Sequence, residues 1–121
     1  MIVFDSSALL AYIRGEQGDS VVRARLESGG ACSTANWAEV AQKVRSARAD
    51  WSLVRALLLS YDLRLEAGTV EDAESAAKMW RAGEGLALAD RLCLALGVRL
   101  GATVVTCDTA WSGRPGVEQV R

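Results

Sequence analysis

The chain contains no histidine. That excludes an imidazole general base and every His-ligated metal centre. Lysine is nearly absent too, with Lys43 and Lys78 alone, so almost all positive charge is arginine. Arginine suits bidentate contact with phosphate, but the base composition of a gene that also encodes much Ala and Gly is the favoured account. There is no basic excess: the net charge is −1 and the pI about 5.4, against the usual footprint of a nucleic-acid binder. Cysteine is sparse. Cys32, Cys93 and Cys107 are odd in number, lack metal-site spacing and sit among apolar residues. They read as reduced core residues of a cytosolic protein. No apolar run approaches the roughly 20 residues a membrane span requires. Met1 leads straight into a strand pattern, without the signature of a signal peptide. A cytoplasmic protein with no membrane association is expected. A charged fraction of 24% is too low for disorder, and a hydrophobic fraction of 50% supplies a sizeable core, so residues 1–121 are expected to form one domain.

What is present is organised around the first five residues. Met1-Ile2-Val3-Phe4 is a short apolar run that ends on Asp5. A strand apolar on both faces belongs in the middle of a parallel sheet covered by helices. The pattern then predicts a helix from Ser6 to Ile13, a turn at Gly15 and Gly18, and a helix from Ser20 to Ser28. A strand over Ala31–Ala35 follows, then a helix from Trp37 to about Ala49. Asp50 caps a strongly apolar helix, Trp51 to Tyr61. Leu63–Ala67 alternates as a strand. Thr69 and Asp72 have the spacing of a capping box, opening a helix that runs to about Ala82 with Ala73, Ala76, Ala77 and Trp80 on its inner face. After the Gly83-Glu84-Gly85 loop, Arg91–Leu100 is apolar nearly all round and reads as buried. Ala102–Thr106 is a strand, Thr109–Trp111 a short helical turn, and Val117–Val120 an edge strand after the Pro115-Gly116 turn. Strands alternating with helices define an α/β class, a three-layer α/β/α fold with a mostly parallel sheet of four to five strands.

Three later acids return to places like that of Asp5. Glu39 lies one turn into a helix, Asp90 opens the apolar helix, and Asp108 follows the fourth strand. In a parallel sheet such positions converge on one crevice at the carboxyl edge. Each acid alone is well explained as a helix cap, and Asn36 with Glu39 fits a capping box. Together they are not, because Asp5, Asp90 and Asp108 interrupt apolar stretches where an unpaired charge is costly. Glu27, Glu71, Asp72 and Glu74 lie among polar residues, on expected solvent faces. Four carboxylates in one crevice need a cation. With oxygen ligands alone, Mg²⁺ or Mn²⁺ is the natural one, and such a site clamps phosphate oxygens and activates water for in-line attack.

The stretches Ile2-Val3-Phe4-Asp5-Ser6-Ser7-Ala8-Leu9, Asn36-Trp37-Ala38-Glu39, Leu88-Ala89-Asp90-Arg91 and Val105-Thr106-Cys107-Asp108-Thr109-Ala110-Trp111 together resemble the PIN-domain family. Within it they are similar to the VapC toxins of bacterial toxin–antitoxin pairs. The resemblance implies a small PIN-like ribonuclease in which Asp5, Glu39, Asp90 and Asp108 hold Mg²⁺ or Mn²⁺. Ser6, Asn36 and Thr106 would support the acids or metal-bound waters. Arg91 would contact phosphate or form a helix-surface salt bridge. The implied substrates are structured RNAs such as tRNA or rRNA. The implied partners are a cognate VapB-type antitoxin that covers the site and a second copy in a homodimer. Ala87 and Ala89 stand where relatives often carry Ser and Gly, a departure expected to have little effect.

Two other readings compete. A phospho-acceptor receiver domain has similar length and acids at strand ends. It needs a lysine after its last strand and an acid pair at its first; no lysine follows Lys78, and Asp5 is followed by two serines. A catalytically inactive PIN-fold binding protein is expected to have lost members of the acid quartet, which is intact here.

Overall fold

The computed structural model describes residues 1–111 and 113–121. Five short strands form one sheet: β1 (Ile2–Phe4), β2 (Gly30–Ser33), β3 (Leu63–Glu66), β4 (Thr103–Thr106) and β5 (Val117–Gln119). Their order is β3-β2-β1-β4-β5, and every pairing is parallel. The expected central position of the first strand is therefore met, and the sheet is wholly parallel. Chain order reverses between β1 and β4, so a crevice opens beyond their carboxyl ends.

Side-chain alternation divides the core in two. Phe4, Cys32 and Val105 face one layer, built from α1 (Ser6–Arg14), α2 (Asp19–Glu27), α3 (Thr34–Ser46) and α4 (Trp51–Leu59). Their neighbours Val3, Ala31 and Val104 face the other, where Cys93, Leu94 and Leu96 of α6 (Leu88–Leu100) cover them. Each fully buried Phe or Leu here contributes roughly 1.5–3 kcal/mol. α6 lies unusually close to the sheet at Gly97: a Cβ there would stand 2.6 Å from Val104 Cγ2, so only glycine permits this contact. α5 (Val70–Lys78) packs on the outside of α6. Arg99 donates to Asp72 at 3.0 Å and Arg91 to the Ala76 carbonyl at 2.8 Å, which ties the two helices antiparallel.

Several expectations change. α3 ends at Ser46 and α5 at Lys78, each a few residues early. The inner face of α5 is Asp72, Ala76 and the following Met79, whereas Ala73, Ala77 and Trp80 face water. The Asp72–Arg99 pair sets this rotation, so Asp72 is buried and not on a solvent face. α4 buries Leu58 fully, but Leu53 is 69% and Leu57 43% exposed. α6 is buried from Cys93 to Gly97 but exposes Leu88 and Val98. All three cysteines are free and buried, as expected. Among the described residues, no helix is long and apolar enough to cross a membrane.

Candidate active site

The backbone brings the four acids to the same edge of the sheet. Asp5 follows β1 and caps α1; its Oδ1 accepts from the Ala8 amide at 2.9 Å. Asp108 follows β4, and its Oδ1 accepts from the Ala110 amide at 2.9 Å, closing the turn at Thr109–Trp111. Glu39 lies on the second turn of α3 and Asp90 on the first turn of α6. Their charges reach one another. Asp90 acts on Asp5, and Glu39 and Asp108 act on Asp90. Beneath them, the thiol of Cys93 is pushed up by burial and then by the fields of Asp5, Asp90 and Glu39.

Asp5 is the deepest, 2% exposed. Ser7 Oγ donates to its Oδ1 at 2.8 Å and Thr106 Oγ1 to its Oδ2 at 2.8 Å. The same two hydroxyls accept from the backbone, Ser7 from Cys107 N at 3.0 Å and Thr106 from Asp108 N at 3.0 Å. Each hydroxyl has a single proton. The network is therefore self-consistent when both protons point at an ionised Asp5. Burial nevertheless raises its pKa, the hydrogen bonds from Ala8, Ser7 and Thr106 recover only part, and the charge of Asp90 adds to the rise; the result is about 6.

Glu39 Oε1 accepts from Ser6 Oγ at 2.9 Å and from Asn36 Nδ2 at 3.2 Å. Asn36 is fully buried and in turn accepts from Ser33 Oγ at 2.6 Å. The cap of α3 is Ser33, not Asn36, which frees the Asn36 amide to orient Glu39. Asp90 lies at the third position of α6, with Oδ2 accepting from Ala87 N at 2.8 Å. Ala87 is the N-cap and has no side-chain acceptor to return the bond, so half a capping box is present. The departure at Ala87 thus falls on a structural position. Burial raises the Asp90 pKa, the Ala87 bond opposes it, Glu39 and Asp108 add to it, and Lys43 lowers it.

Ser6, Asn36 and Thr106 thus each touch one of the acids. Arg91 forms no salt bridge among the described residues; it donates to Ala76 on α5, and its Nε is buried without a partner. Two residues were missed. Ser7 binds Asp5 directly, and its signal was the second serine of Asp5-Ser6-Ser7. Lys43 lies one turn beyond Glu39, on the same face of α3, and its charge acts at Asp90. Its spacing of four from Glu39 was the available signal.

The donor set is entirely carboxylate and hydroxyl oxygen, which fits a hard divalent cation and no softer metal. As placed, no three acidic or thiol groups among the described residues stand close enough to hold one ion. The reason is visible. Each acid is turned toward its own amide or hydroxyl donors, while Glu39 Oε2, Asp90 Oδ1 and Asp108 Oδ2 have no hydrogen-bond donor among the described residues. An apolar groove of about 340 Å³, lined in part by Met79, Leu94, Gly97 and Pro115, includes none of the four acids in its lining.

An open, all-parallel α/β/α sheet with four carboxylates near its switch point is the class of domain that places its ligand crevice at that edge. The chain belongs to the PIN domain family, whose model matches residues 2–116. No curated protein matches it significantly. Solved structures do. A toxin–antitoxin complex from Klebsiella pneumoniae aligns at TM-score 0.79 and 22% identity, covering 100% of this chain and 98% of that one. VapBC2 from Rickettsia felis, bound to a promoter DNA fragment, aligns at 0.73 and 16%, covering 100% of both. VapC20 of Mycobacterium tuberculosis, a toxin that cleaves the sarcin–ricin loop, aligns at 0.67 and 18%, covering 94% and 92%.

Proposed function

We propose that this chain is the toxin of a toxin–antitoxin pair and acts as a cytoplasmic ribonuclease dependent on Mg²⁺ or Mn²⁺, with residues 1–121 forming a single such domain. One observation carries the reading: a PIN-family chain brings Asp5, Glu39, Asp90 and Asp108 to one sheet edge, where the buried carboxylate of Asp5 has no cationic partner among the described residues. The neighbouring folds from toxin complexes, and from a toxin that cleaves the sarcin–ricin loop, support it.

The four acids would hold the metal, which when bound supplies a polarised phosphate and a water acidified for attack. The protein's own part is orientation. Ser7 and Thr106 fix Asp5 between the ends of β1 and β4. Ser6 and Asn36 aim Glu39. Lys43 offers a positive charge beside the acids where a substrate phosphate would need one. Substrate is RNA, most simply a looped segment of tRNA or rRNA. The partners are a VapB-type antitoxin and a second copy of the chain.

The test is cleavage of RNA by the purified protein with Mg²⁺ or Mn²⁺. Asp5→Asn should abolish cleavage and growth inhibition while the protein stays folded. Glu71→Gln, at an exposed position on α5, should leave both intact. Equal cleavage by the two variants refutes the site.

A further inference from the structure

Three cations, Lys78, Arg81 and Arg114, line one polar cavity of about 360 Å³ together with Met79 and a single acid, Glu84. The cavity is built by the loop between α5 and α6 and the loop between β4 and β5. Each loop runs into an acid: Asp90 is six residues beyond Glu84, and Asp108 six residues before Arg114. Most other arginines with an ion pair are on separate surfaces, as in Arg23–Glu27, Arg25–Glu118 and Arg64–Glu66. Here Lys78 and Arg81 have no acidic partner among the described residues.

The cluster is held in place. Arg81 Nη1 donates to the carbonyls of Lys78 and Trp80, both at 2.9 Å, which caps the end of α5 and uses only one of its nitrogens. Arg114 Nη2 is fixed by Glu84 Oε1 at 2.6 Å, again with donors to spare. Trp80 lies between Lys78 and Arg81 in sequence and is 58% exposed. The other tryptophans are occupied: Trp111 is buried at 1%, and Trp37 and Trp51 pack edge to face at 5.2 Å. An exposed indole two residues from Lys78 and one from Arg81 in the chain has the composition of a single-strand platform, where bases stack on the ring and phosphates meet the charges.

We propose that the Lys78–Trp80–Arg81–Arg114 surface binds the backbone and one unpaired base of the RNA strand whose scissile phosphate lies at the acid edge. This inference rests on the ribonuclease reading and assigns the substrate-binding surface that the near-neutral net charge conceals.

The experiment measures binding of a labelled single-stranded oligoribonucleotide of about 12 nucleotides, within the usual span of such sites. The protein is the full chain carrying Asp5→Asn, so that binding is read without cleavage, over a series of salt concentrations. Lys78→Glu should weaken binding about tenfold and reduce the slope of log K against log salt by about 0.7, the contribution of one single-strand phosphate. Trp80→Ala should weaken binding on the order of tenfold with little change in slope. Neither side chain makes a bond the fold needs, so both variants should melt like their parent. Arg55→Ala, exposed on α4, should change nothing. If the parent binds and Lys78→Glu and Trp80→Ala bind equally well, the strand lies elsewhere and this inference fails while the nuclease reading stands. If those variants lose antitoxin binding but keep RNA binding, the surface serves a protein and the inference fails. If the parent binds no RNA at all, the nuclease reading falls with it.

Discussion

Asp5 and Asp72 are both buried, 2% and 4% exposed, and both cap a helix with a carboxylate oxygen. Yet their chemistry is opposite. Burial pushes Asp72 up, but the hydrogen bond from Arg99, the Thr69 amide and the charge of Arg99 outweigh it, and its pKa lies below the ordinary value. Asp5 receives hydroxyl and amide protons but no cation, and its neighbour Asp90 adds negative charge, so it is held up at about 6. The fold therefore supplies a cation where an acid serves structure and withholds one at the sheet edge. Burying an acid without a cation is costly, and acids with such perturbed pKa values cluster at functional sites.

The difference has a sign that pH reveals. Asp5 is protonated in both states below about 3.8 and contributes nothing there. Between that value and about 6 the folded chain binds the extra proton, so stability falls as pH rises and the full penalty is present above 6. Two units correspond to roughly 3 kcal/mol, the largest effect expected. Metal-free Asp5→Asn should lack this fall, and urea denaturation in EDTA at pH 4 to 7.5 measures it. Equal pH profiles for the variant and wild type would show that Asp5 is not strained.

A divalent ion should relieve the same edge. Mn²⁺ at a hundredfold excess over Kd adds about 2.7 kcal/mol if it binds only the folded chain, several degrees of Tm in a domain of this size. Asp90→Asn should lose most of that gain and, in EDTA, be at least as stable as wild type, because the charges of Glu39 and Asp108 no longer act on it. Four coincident melting curves would make Asp90 a cap and nothing more.

Arg99→Met converts Asp72 into a second Asp5. The cost should be about 2 kcal/mol near neutral pH, below the usual figure for a broken buried pair because Arg99 is partly exposed. It should shrink as pH falls, because Asp72 protonates in the variant and because the wild-type Asp72–Arg99 contribution, present above the ordinary carboxylate range, is lost as pH falls below it. A pH-independent cost would locate the loss in packing instead. The smallest effect belongs to Ala87→Ser, which completes the capping box of α6 and should raise stability by about 1 kcal/mol without changing the pH profile.

The comparison also explains what was legible in advance. The central place of β1, the caps at Asp5, Asp50 and Thr69, and the edge position of the acids all follow from signals a few residues long. Asp72 was misplaced because the partner that buries it, Arg99, is 27 residues away, and nothing near Asp72 announces the pairing. The face of α5 was misread for the same reason: alanine and tryptophan marked an apolar stripe, but the ion pair set the rotation. Ser7 and Lys43 were missed because their meaning depends on what they face, Thr106 and Cys107 in one case and Asp90 in the other. Arg91 shows the converse. Its place beside Asp90 in sequence says nothing of where a long side chain goes, and it reaches α5.

The hydroxyl of Thr106 on Asp5 joins residues 101 positions apart, and β1 completes its pairing only with β4. Closing so long a loop is slow relative to local helix formation. During synthesis the helices and the pairing of β2 with β1 and β3 can form early, but the other edge of the central strand stays open and Asp5 lacks the Thr106 hydroxyl until residue 106 has emerged. The last long connection to close is thus the one that assembles the acid edge. A growing chain harbours no finished acid edge, and its first strand offers an unpaired edge to other chains until β4 arrives.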